Sequence, residues 1–200
     1  MDSSPVLLNW KAELPPVEGH VVTLREPSLL DVGPLVDLLS LDDASRFGLD
    51  EPITESLVRD FVERALRHRS AGISFSYAIL SGPARTLAGL IQVRQLDPAF
   101  ETSEWECTLA PSARGSGAFL DAAKLAGTFA FERVGTHRIE ARVPLQNGRA
   151  NSALRKLGAV QDGVLRRSLR RGHEYLDQVL WAVLKEDWGS RWDPVTPRVH

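Results

Sequence analysis

The spacing of hydrophobic residues predicts strands and helices in alternation from about residue 20 onward. Residues 21–24 form a short β-rich run, and leucine recurs at helical spacing over residues 28–41 after Ser28, a residue type that commonly caps helices. A second helical pattern opens at Thr54 and extends to residue 66. The first part of the chain is therefore predicted to be one strand followed by two helices.

The remaining pattern predicts a meander, two more helices and a hairpin. Strands are predicted over residues 75–80, 87–96, 102–109 and 138–143, helices over 119–133 and 150–157, and a final hairpin over 164–169 and 175–183. Short connections between the first three of these strands indicate antiparallel neighbours. This order predicts an α/β (α+β) fold in which a mixed sheet carries helices on its faces, with no second domain.

Composition limits the classes of function. The chain has 200 residues and is 43% hydrophobic, which is enough for one buried core. Lys plus Arg (24) nearly balances Asp plus Glu (26), so no overall positive field would hold a polyanion. A nucleic-acid partner is therefore not expected.

Cysteine, histidine and the chain start further narrow the expectations. Cys107 is the only cysteine, so no intrachain disulfide and no cysteine-built zinc site can form. The histidines are scattered without ligand spacing, and we expect no metal. No signal peptide and no run of about 20 apolar residues is found, so we expect a soluble, cytoplasmic protein without a membrane partner.

A glycine-rich loop at residues 114–118 separates a predicted strand from a predicted helix. Glycine lets the backbone approach a phosphate group, the helix N-terminus offers N–H groups, and the guanidinium of Arg114 can add further donors. The same glycines are also common in strand-to-helix turns that bind nothing. The loop lacks Gly-Lys-Ser/Thr and the third glycine of a dinucleotide fold, so a nucleotide triphosphatase or dehydrogenase is disfavoured.

Residues 109–117, Leu-Ala-Pro-Ser-Ala-Arg-Gly-Ser-Gly, resemble the coenzyme-A motif of the GCN5-related N-acetyltransferases (GNAT), Gln/Arg-x-x-Gly-x-Gly/Ala after the fourth strand. Phe119 departs from the family pattern. The resemblance implies acetyl-CoA as co-substrate. The coenzyme-binding residues that it implies are Leu109, Ala110, Arg114, Gly115, Ser116, Gly117 and Ala118.

A second stretch, residues 147–159 followed by 162–167, resembles the Asn-x-x-Ser…Lys-Leu-Gly segment of the RimJ/RimL-like branch. The likeness implies a coenzyme contact for Asn147, whereas the family serine falls on Ala150. Two motifs about thirty residues apart are more specific than either one. The resemblance covers residues 20–188 and implies a GNAT domain with a mostly antiparallel six- to seven-stranded sheet, between an N-terminal arm (residues 1–19) and a C-terminal tail (residues 189–200).

The implied activity is transfer of acetyl from acetyl-CoA to a primary amine, either a protein N-terminus or a small molecule. Phe119, Ala150 and Leu154 replace family residues, which leaves open a catalytically degenerate acyl-CoA-binding domain that senses or scaffolds. Transfer of an amino acid from a charged tRNA is a third interpretation, for which the balanced charge offers little support.

Two glutamates are candidates for the base that deprotonates the amine. Glu104 and Glu106 lie two apart on one predicted strand and so share a face. The resemblance makes Glu104 the first choice, because it stands at the position of the family glutamate. A cross-strand ion pair with Arg94 is the alternative for these carboxylates. Leu154 stands where many relatives have a tyrosine acid, so the thiolate is protonated by Ser152, by water, or without help.

Acceptor choice and assembly are the remaining expectations. An acidic loop, Asp42, Asp43, Asp50 and Glu51, lies where the family places substrate selectors. Trp181 and Trp188 offer apolar material for a homodimer, unless Trp181 lies on the core side of its strand and Trp188 caps the sheet beside the N-terminal arm.

Overall fold

The structure, a computed structural model, describes residues 9–40 and 52–190. The strands are β1 Val17–Glu18, β2 Val22–Arg25, β3 Ser74–Ser81, β4 Thr86–Gln95, β5 Thr102–Leu109, β6 Arg138–Pro144, β7 Val160–Arg171 and β8 Glu174–Leu184. The helices are α1 Val32–Leu39, α2 Glu55–Ala71, α3 Ala118–Phe129, α4 Gly148–Leu157 and α5 Lys185–Ser190. The acidic loop predicted to select substrates lies outside the described residues.

All eight strands join one sheet in the order β1-β2-β3-β4-β5-β6-β8-β7. Neighbours are antiparallel except β5 and β6, which are parallel. The expected mixed α/β fold with helices on both faces is confirmed. The sheet has eight strands instead of six or seven, because Val17 and Glu18, in the segment predicted as an arm, pair with Leu24 and Thr23 of β2.

Side-chain alternation along the strands places a separate hydrophobic core on each face of the sheet. The larger core consists of apolar residues from strands β3, β4, β5, β6 and β8, packed against α3 and α4. The smaller core lies between α1, α2 and Leu90 of β4. On this second face the middle of the sheet carries charged residues, namely Arg94, Glu104, Glu106, Glu140 and Arg142. On this face, the charged middle of the sheet therefore lies next to the part that α1 and α2 cover.

The first predicted helix begins later than its sequence pattern indicates. Leu29–Asp31 form a 3-10 turn, and α1 starts only at Val32. The Asp31 carboxylate accepts hydrogen bonds from the Ser28 N–H at 2.8 Å and from the Arg25 guanidinium at 2.6 and 2.7 Å. Burial would raise the pKa of Asp31, but these hydrogen bonds outweigh it and hold the pKa below its ordinary value.

The described part of the predicted arm packs onto the sheet. Trp10 and Leu14 are buried, and the Tyr77 hydroxyl donates to the Pro15 carbonyl at 3.0 Å. The Asp121 carboxylate of α3 accepts from the backbone N–H groups of Val21 and Val22 at 2.7 and 3.0 Å. These contacts hold the start of β2 beside the first turn of α3.

The tryptophans that were candidates for a dimer surface are in the core. Trp181 is 3% exposed and Trp188 is 6% exposed. The Trp188 ring packs on Gly127 of α3, and its N–H donates to the Thr128 hydroxyl at 2.9 Å. Trp181 lies on the core side of its strand, as the alternative stated, whereas Trp188 packs against α3. Neither indole supplies interface area.

The ends of several other elements also differ from the sequence pattern. α3 ends at Phe129 and continues as a π-helical turn, Ala130–Val134, which Gly135 closes in a left-handed conformation. β7 and β8 are longer than the predicted hairpin because they pair with each other over most of their length.

None of the described helices is long and apolar enough to cross a membrane.

Candidate functional site

The parallel strands β5 and β6 separate and open a cleft. Their register covers only Thr102–Glu104 against Arg138–Glu140, whereas β5 stays paired with β4 as far as Leu109 and β6 with β8 as far as Pro144. The two strands therefore diverge after Glu104. The space between them is part of a cleft of about 1690 Å³. Beyond the last pair, the edge of β5 that faces β6 can offer backbone groups to a ligand.

The walls of the cleft come from both strands and from the helices that follow them. β5 contributes Trp105, Glu106, Cys107, Thr108 and Leu109, and β6 contributes Ala141, Arg142, Val143 and Pro144. The start of α3, most of α4 and the end of the β7–β8 hairpin complete the lining. Apolar walls with a few polar groups are typical of small-molecule sites.

The glycine-rich loop lies at this cleft. Gly115 and Gly117 have φ values of +84° and +91°, a left-handed conformation that L side chains rarely adopt. Gly117 immediately precedes α3, whose first N–H groups have no partner within the helix. Arg114, Gly115 and Gly117 line the cleft, and so do Phe119 and Leu120 of α3. The half-buried Phe119 also packs against the main core.

Not every predicted coenzyme residue faces the cleft. Leu109 and Asn147 line it, but Ala110, Ser116 and Ala118 do not. Ser116 instead stabilises the loop, since its hydroxyl donates to the Ala113 carbonyl at 2.7 Å and accepts from the Ala118 N–H at 3.3 Å. The Arg114 Nε donates to the Leu109 carbonyl at 3.2 Å, which ties the loop to the end of β5.

The start of α4 is fixed by two asparagines. The Asn147 side chain caps the helix by accepting from the Ala150 N–H at 3.1 Å. Asn151, 8% exposed, donates to the Pro144 and Asn147 carbonyls at 3.1 and 2.9 Å and accepts from the Trp181 indole at 2.8 Å. Asn151 thus connects β6, α4 and β8. The sequence analysis did not predict this role, although a polar residue on the apolar side of a predicted helix could have indicated it.

The two candidate glutamates lie in different environments. Glu104 is 3% exposed and forms ion pairs with Arg94 of β4 and, at 3.5 Å, with Arg142 of β6. Glu106 is exposed and lines the cleft. The cross-strand ion pair considered at the sequence level is therefore present for Glu104, at the point where β5 and β6 separate. Ser152, the third candidate, is exposed on α4 and lines the cleft.

The cleft lining carries more positive than negative charge. Its basic residues are Arg114, Arg142, Arg149, Lys156, Arg170 and Arg171, and its acidic residues are Glu106 and Glu174. Phosphate groups would be attracted to such a lining. In residues 9–40 and 52–190, no three His, Cys, Asp or Glu side chains are grouped so as to hold a metal ion.

Sequence comparison points to one family. The family model described as the acetyltransferase (GNAT) domain matches residues 22–160. A curated relative, the uncharacterized N-acetyltransferase YnaD of Bacillus subtilis (strain 168), is 26% identical over 78 residues. That segment covers 39% of this chain and 46% of the relative, so the match spans less than half of the relative's length.

Three solved structures match over most of both chains. A proposed acetyltransferase from T. thermophilus is 31% identical, with a TM-score of 0.70 over 88% of this chain and 92% of that chain. The ribosomal-protein-S5-alanine acetyltransferase from Vibrio fischeri is 15% identical, with a TM-score of 0.78 over 87% and 98%. The spermidine N-acetyltransferase from Vibrio cholerae, solved with CoA and spermine, is 18% identical, with a TM-score of 0.73 over 84% and 97%. At these identities the last two show the shared fold alone.

Proposed function

Because the chain belongs to the GNAT acetyltransferase family, we propose that it transfers the acetyl group of acetyl-CoA to a primary amine in the cleft between β5 and β6. The observation that carries this proposal is the end of the β5–β6 pairing at Glu104 and Glu140, with the glycine-rich loop at the mouth of the resulting cleft. A pantetheine chain fits such an opening, because β5 can pair with it through backbone groups.

The pyrophosphate of acetyl-CoA would bind where Gly115 and Gly117 precede α3. Backbone N–H groups and the positive end of a helix favour an anion, and Arg114 lies in the same lining. The Ala118 amide contributes less than the sequence motif implies, since it already donates to the Ser116 hydroxyl. The remaining phosphate of the coenzyme can be bound by basic residues of α4 and of the β7–β8 hairpin, namely Arg149, Lys156, Arg170 and Arg171.

The reaction needs a neutral amine and a base. The amine nitrogen attacks the thioester carbonyl carbon, a C–N bond forms, the C–S bond breaks, and the amine proton is taken by a carboxylate. We assign the base to Glu106, because it is exposed on the cleft wall, whereas Glu104 is buried between two arginines. Ser152, on the facing helix, is the candidate that returns a proton to the CoA thiolate.

We assign Glu104 a positioning role. Its carboxylate joins Arg94 of β4 to Arg142 of β6 across β5, at the last paired residue before the two strands diverge. Arg142 lines the cleft, so this bridge also sets where a cleft residue lies. The alternative of a catalytically degenerate acyl-CoA-binding domain is not favoured, because a carboxylate and a hydroxyl remain on the cleft walls.

The acceptor is a primary amine of a protein N-terminus or of a small molecule. Membership of the RimJ/RimL-like branch is supported by the motif at residues 147–167 and by the likeness to the Vibrio fischeri enzyme. The likeness to the Vibrio cholerae enzyme equally supports a small-molecule amine.

Calorimetric titration with acetyl-CoA tests the coenzyme assignment. Gly117→Asp places a side chain and a negative charge at the phosphate position, and we expect measurable binding to be lost. The matched control is Gly135→Asp, which has the same left-handed backbone strain (φ +97°) but lies at the end of the π-helical turn, outside the cleft lining. Unchanged affinity in Gly117→Asp would contradict the assignment. Thiol release from acetyl-CoA with a panel of amines tests transfer itself.

A further inference from the structure

A second, smaller pocket lies on the helix-covered side of the sheet, between α2 and strands β3 and β4. Its volume is about 270 Å³. The lining residues are Phe61, Arg64, Ala65, His68, Ile73, Ser74, Gln92, Arg94 and Gln95. None of them lines the cleft between β5 and β6. We refer to it as the α2 pocket.

The polar groups of the α2 pocket favour an anion. Arg64, His68 and Arg94 supply N–H donors, and no lining residue is a carboxylate. Within the described part of the chain, Arg64 and His68 take part in no ion pair. Arg94 uses one terminal nitrogen for Glu104, and a guanidinium has five N–H donors in all. The pocket therefore offers unbalanced positive charge to a bound group.

A buried serine in the lining provides an independent indication. Ser74 is 1% exposed, and its hydroxyl has no hydrogen-bond partner among the described residues. Buried hydroxyl groups are nearly always paired, because an unpaired one costs free energy. An oxygen-rich ligand in the α2 pocket is the kind of group that would satisfy it.

The α2 pocket and the proposed base are neighbours on one face of the sheet. Gln92 pairs in register with Glu106, and Arg94 pairs with Glu104, so all four side chains point to the same side. Adjacent strands are about 4.8 Å apart and two residues along a strand span about 6.8 Å, which puts the Cα atom of Arg94 roughly 8 Å from the Cα atom of Glu106, with both side chains on the same face. A single small molecule can span that distance.

We propose that the α2 pocket binds the anionic end of the acceptor, a carboxylate or a phosphate monoester. The enzyme then acetylates amines that carry such a group roughly 8 Å from the nitrogen. This inference rests on the proposed function, because it takes Glu106 as the group that faces the amine. Arg64 and His68 hold the anion from α2, and Arg94 holds it from the sheet.

The test compares acceptors of equal length with and without the anion. Thiol release is measured with ε-aminohexanoate, ω-aminopentyl phosphate and neutral hexylamine, in the parent protein, in Arg64→Gln and in Arg67→Gln. Arg67 is the matched control, because it lies on the same helix, outside the pocket, paired with Glu63. We expect kcat/KM for an anionic amine to exceed that for hexylamine at least about tenfold, and Arg64→Gln to remove this preference while leaving hexylamine unchanged. The anion with the larger gain identifies the natural class.

Two results would overturn the proposal while leaving acetyl transfer intact. One is equal kcat/KM for anionic and neutral amines in the parent protein, and the other is a preference that survives Arg64→Gln. If no amine is acetylated, the proposed function fails, and the α2 pocket is tested by NMR of the His68 ring during titration with inorganic phosphate. A phosphate-dependent shift that Arg64→Gln abolishes supports an anion site, and no shift refutes it.

Discussion

Replacing Glu104 and Glu106 in turn should separate folding stability from catalysis. The Glu104 side chain is 3% exposed, and Glu104→Gln removes its negative charge. The guanidinium groups of Arg94 and Arg142 then lose their carboxylate partner. Removing one partner of a fully buried ion pair costs about 3–5 kcal/mol. Because the side chains of Arg94 and Arg142 are 44% and 40% exposed, water can solvate them, and we expect a smaller loss of about 1–3 kcal/mol.

Glu106→Gln should have the opposite profile. Its side chain is exposed, so the free energy of unfolding should change by no more than about 0.5 kcal/mol. Loss of the base should lower kcat by ~10²–10⁴-fold and leave acetyl-CoA affinity unchanged. Glu174→Gln, which removes another carboxylate of the cleft lining, serves as the control and should alter neither quantity strongly.

Urea unfolding followed by tryptophan fluorescence gives the stability of each variant, and thiol release at saturating acetyl-CoA gives kcat. A full loss of turnover in Glu104→Gln with unchanged stability, together with an active Glu106→Gln, would refute the assignment and make Glu104 the base. Comparable losses of turnover in Glu106→Gln and Glu174→Gln would also contradict a specific role for Glu106.

Three further predictions concern stability and assembly. The low folded-state pKa of Asp31 means that its contribution to stability is present above a pH of about 4 and is lost as the pH falls through the folded value. Asp31→Asn should therefore be less stable than the parent by about 1–3 kcal/mol at neutral pH, and this difference should shrink in acid. Urea unfolding at neutral and at acidic pH measures the difference. An equal difference at the two pH values would contradict the pairing of Asp31 with Arg25. Gly127→Ala places a Cβ 2.5 Å from the Trp188 ring and should destabilise the folded protein by about 1–3 kcal/mol. In the control, Gly33→Ala, the new Cβ meets nothing within 4 Å, so this variant should be slightly more stable than the parent. Melting temperatures measure both effects. The homodimer expected from the sequence no longer has Trp181 and Trp188 as interface candidates, because both are buried. A light-scattering mass near twice 22.1 kDa would support a dimer formed by another surface, and a monomer mass at every concentration would contradict the expectation.

The order of elements and the glycine-rich loop were predictable because their signals are local. Alternating apolar residues identify a strand such as β3 from a few neighbours, and residues 114–118 indicate a special backbone through their glycines. Element ends were less predictable, because tertiary contacts decide them. Val17 and Glu18 form a strand only because β2 lies beside them, and the long β7 exists because β8 pairs with it.

The candidate site divides in the same way. Because side chains alternate between the two faces of a strand, the two-residue spacing of Glu104 and Glu106 predicted that both lie on one face. This alternation does not predict which side chains of other strands each glutamate contacts. Arg142 belongs to a strand brought beside β5 by a parallel crossover, and its contact with Glu104 exists only in the folded sheet. Asn151 was missed for the same reason, since the Trp181 indole that it binds lies on β8.

By itself, therefore, the sequence determined the class of fold, the glycine-rich loop before α3 and the pair of carboxylates on one strand face, since each depends on residues close together in the chain. Only the tertiary structure decided where β5 and β6 separate, which glutamate is buried between arginines, and that the α2 pocket forms beside the cleft. The physical reason is that burial, ion pairing and cavities depend on which distant segments pack together, and strand pairing between such segments is not encoded in any single local pattern.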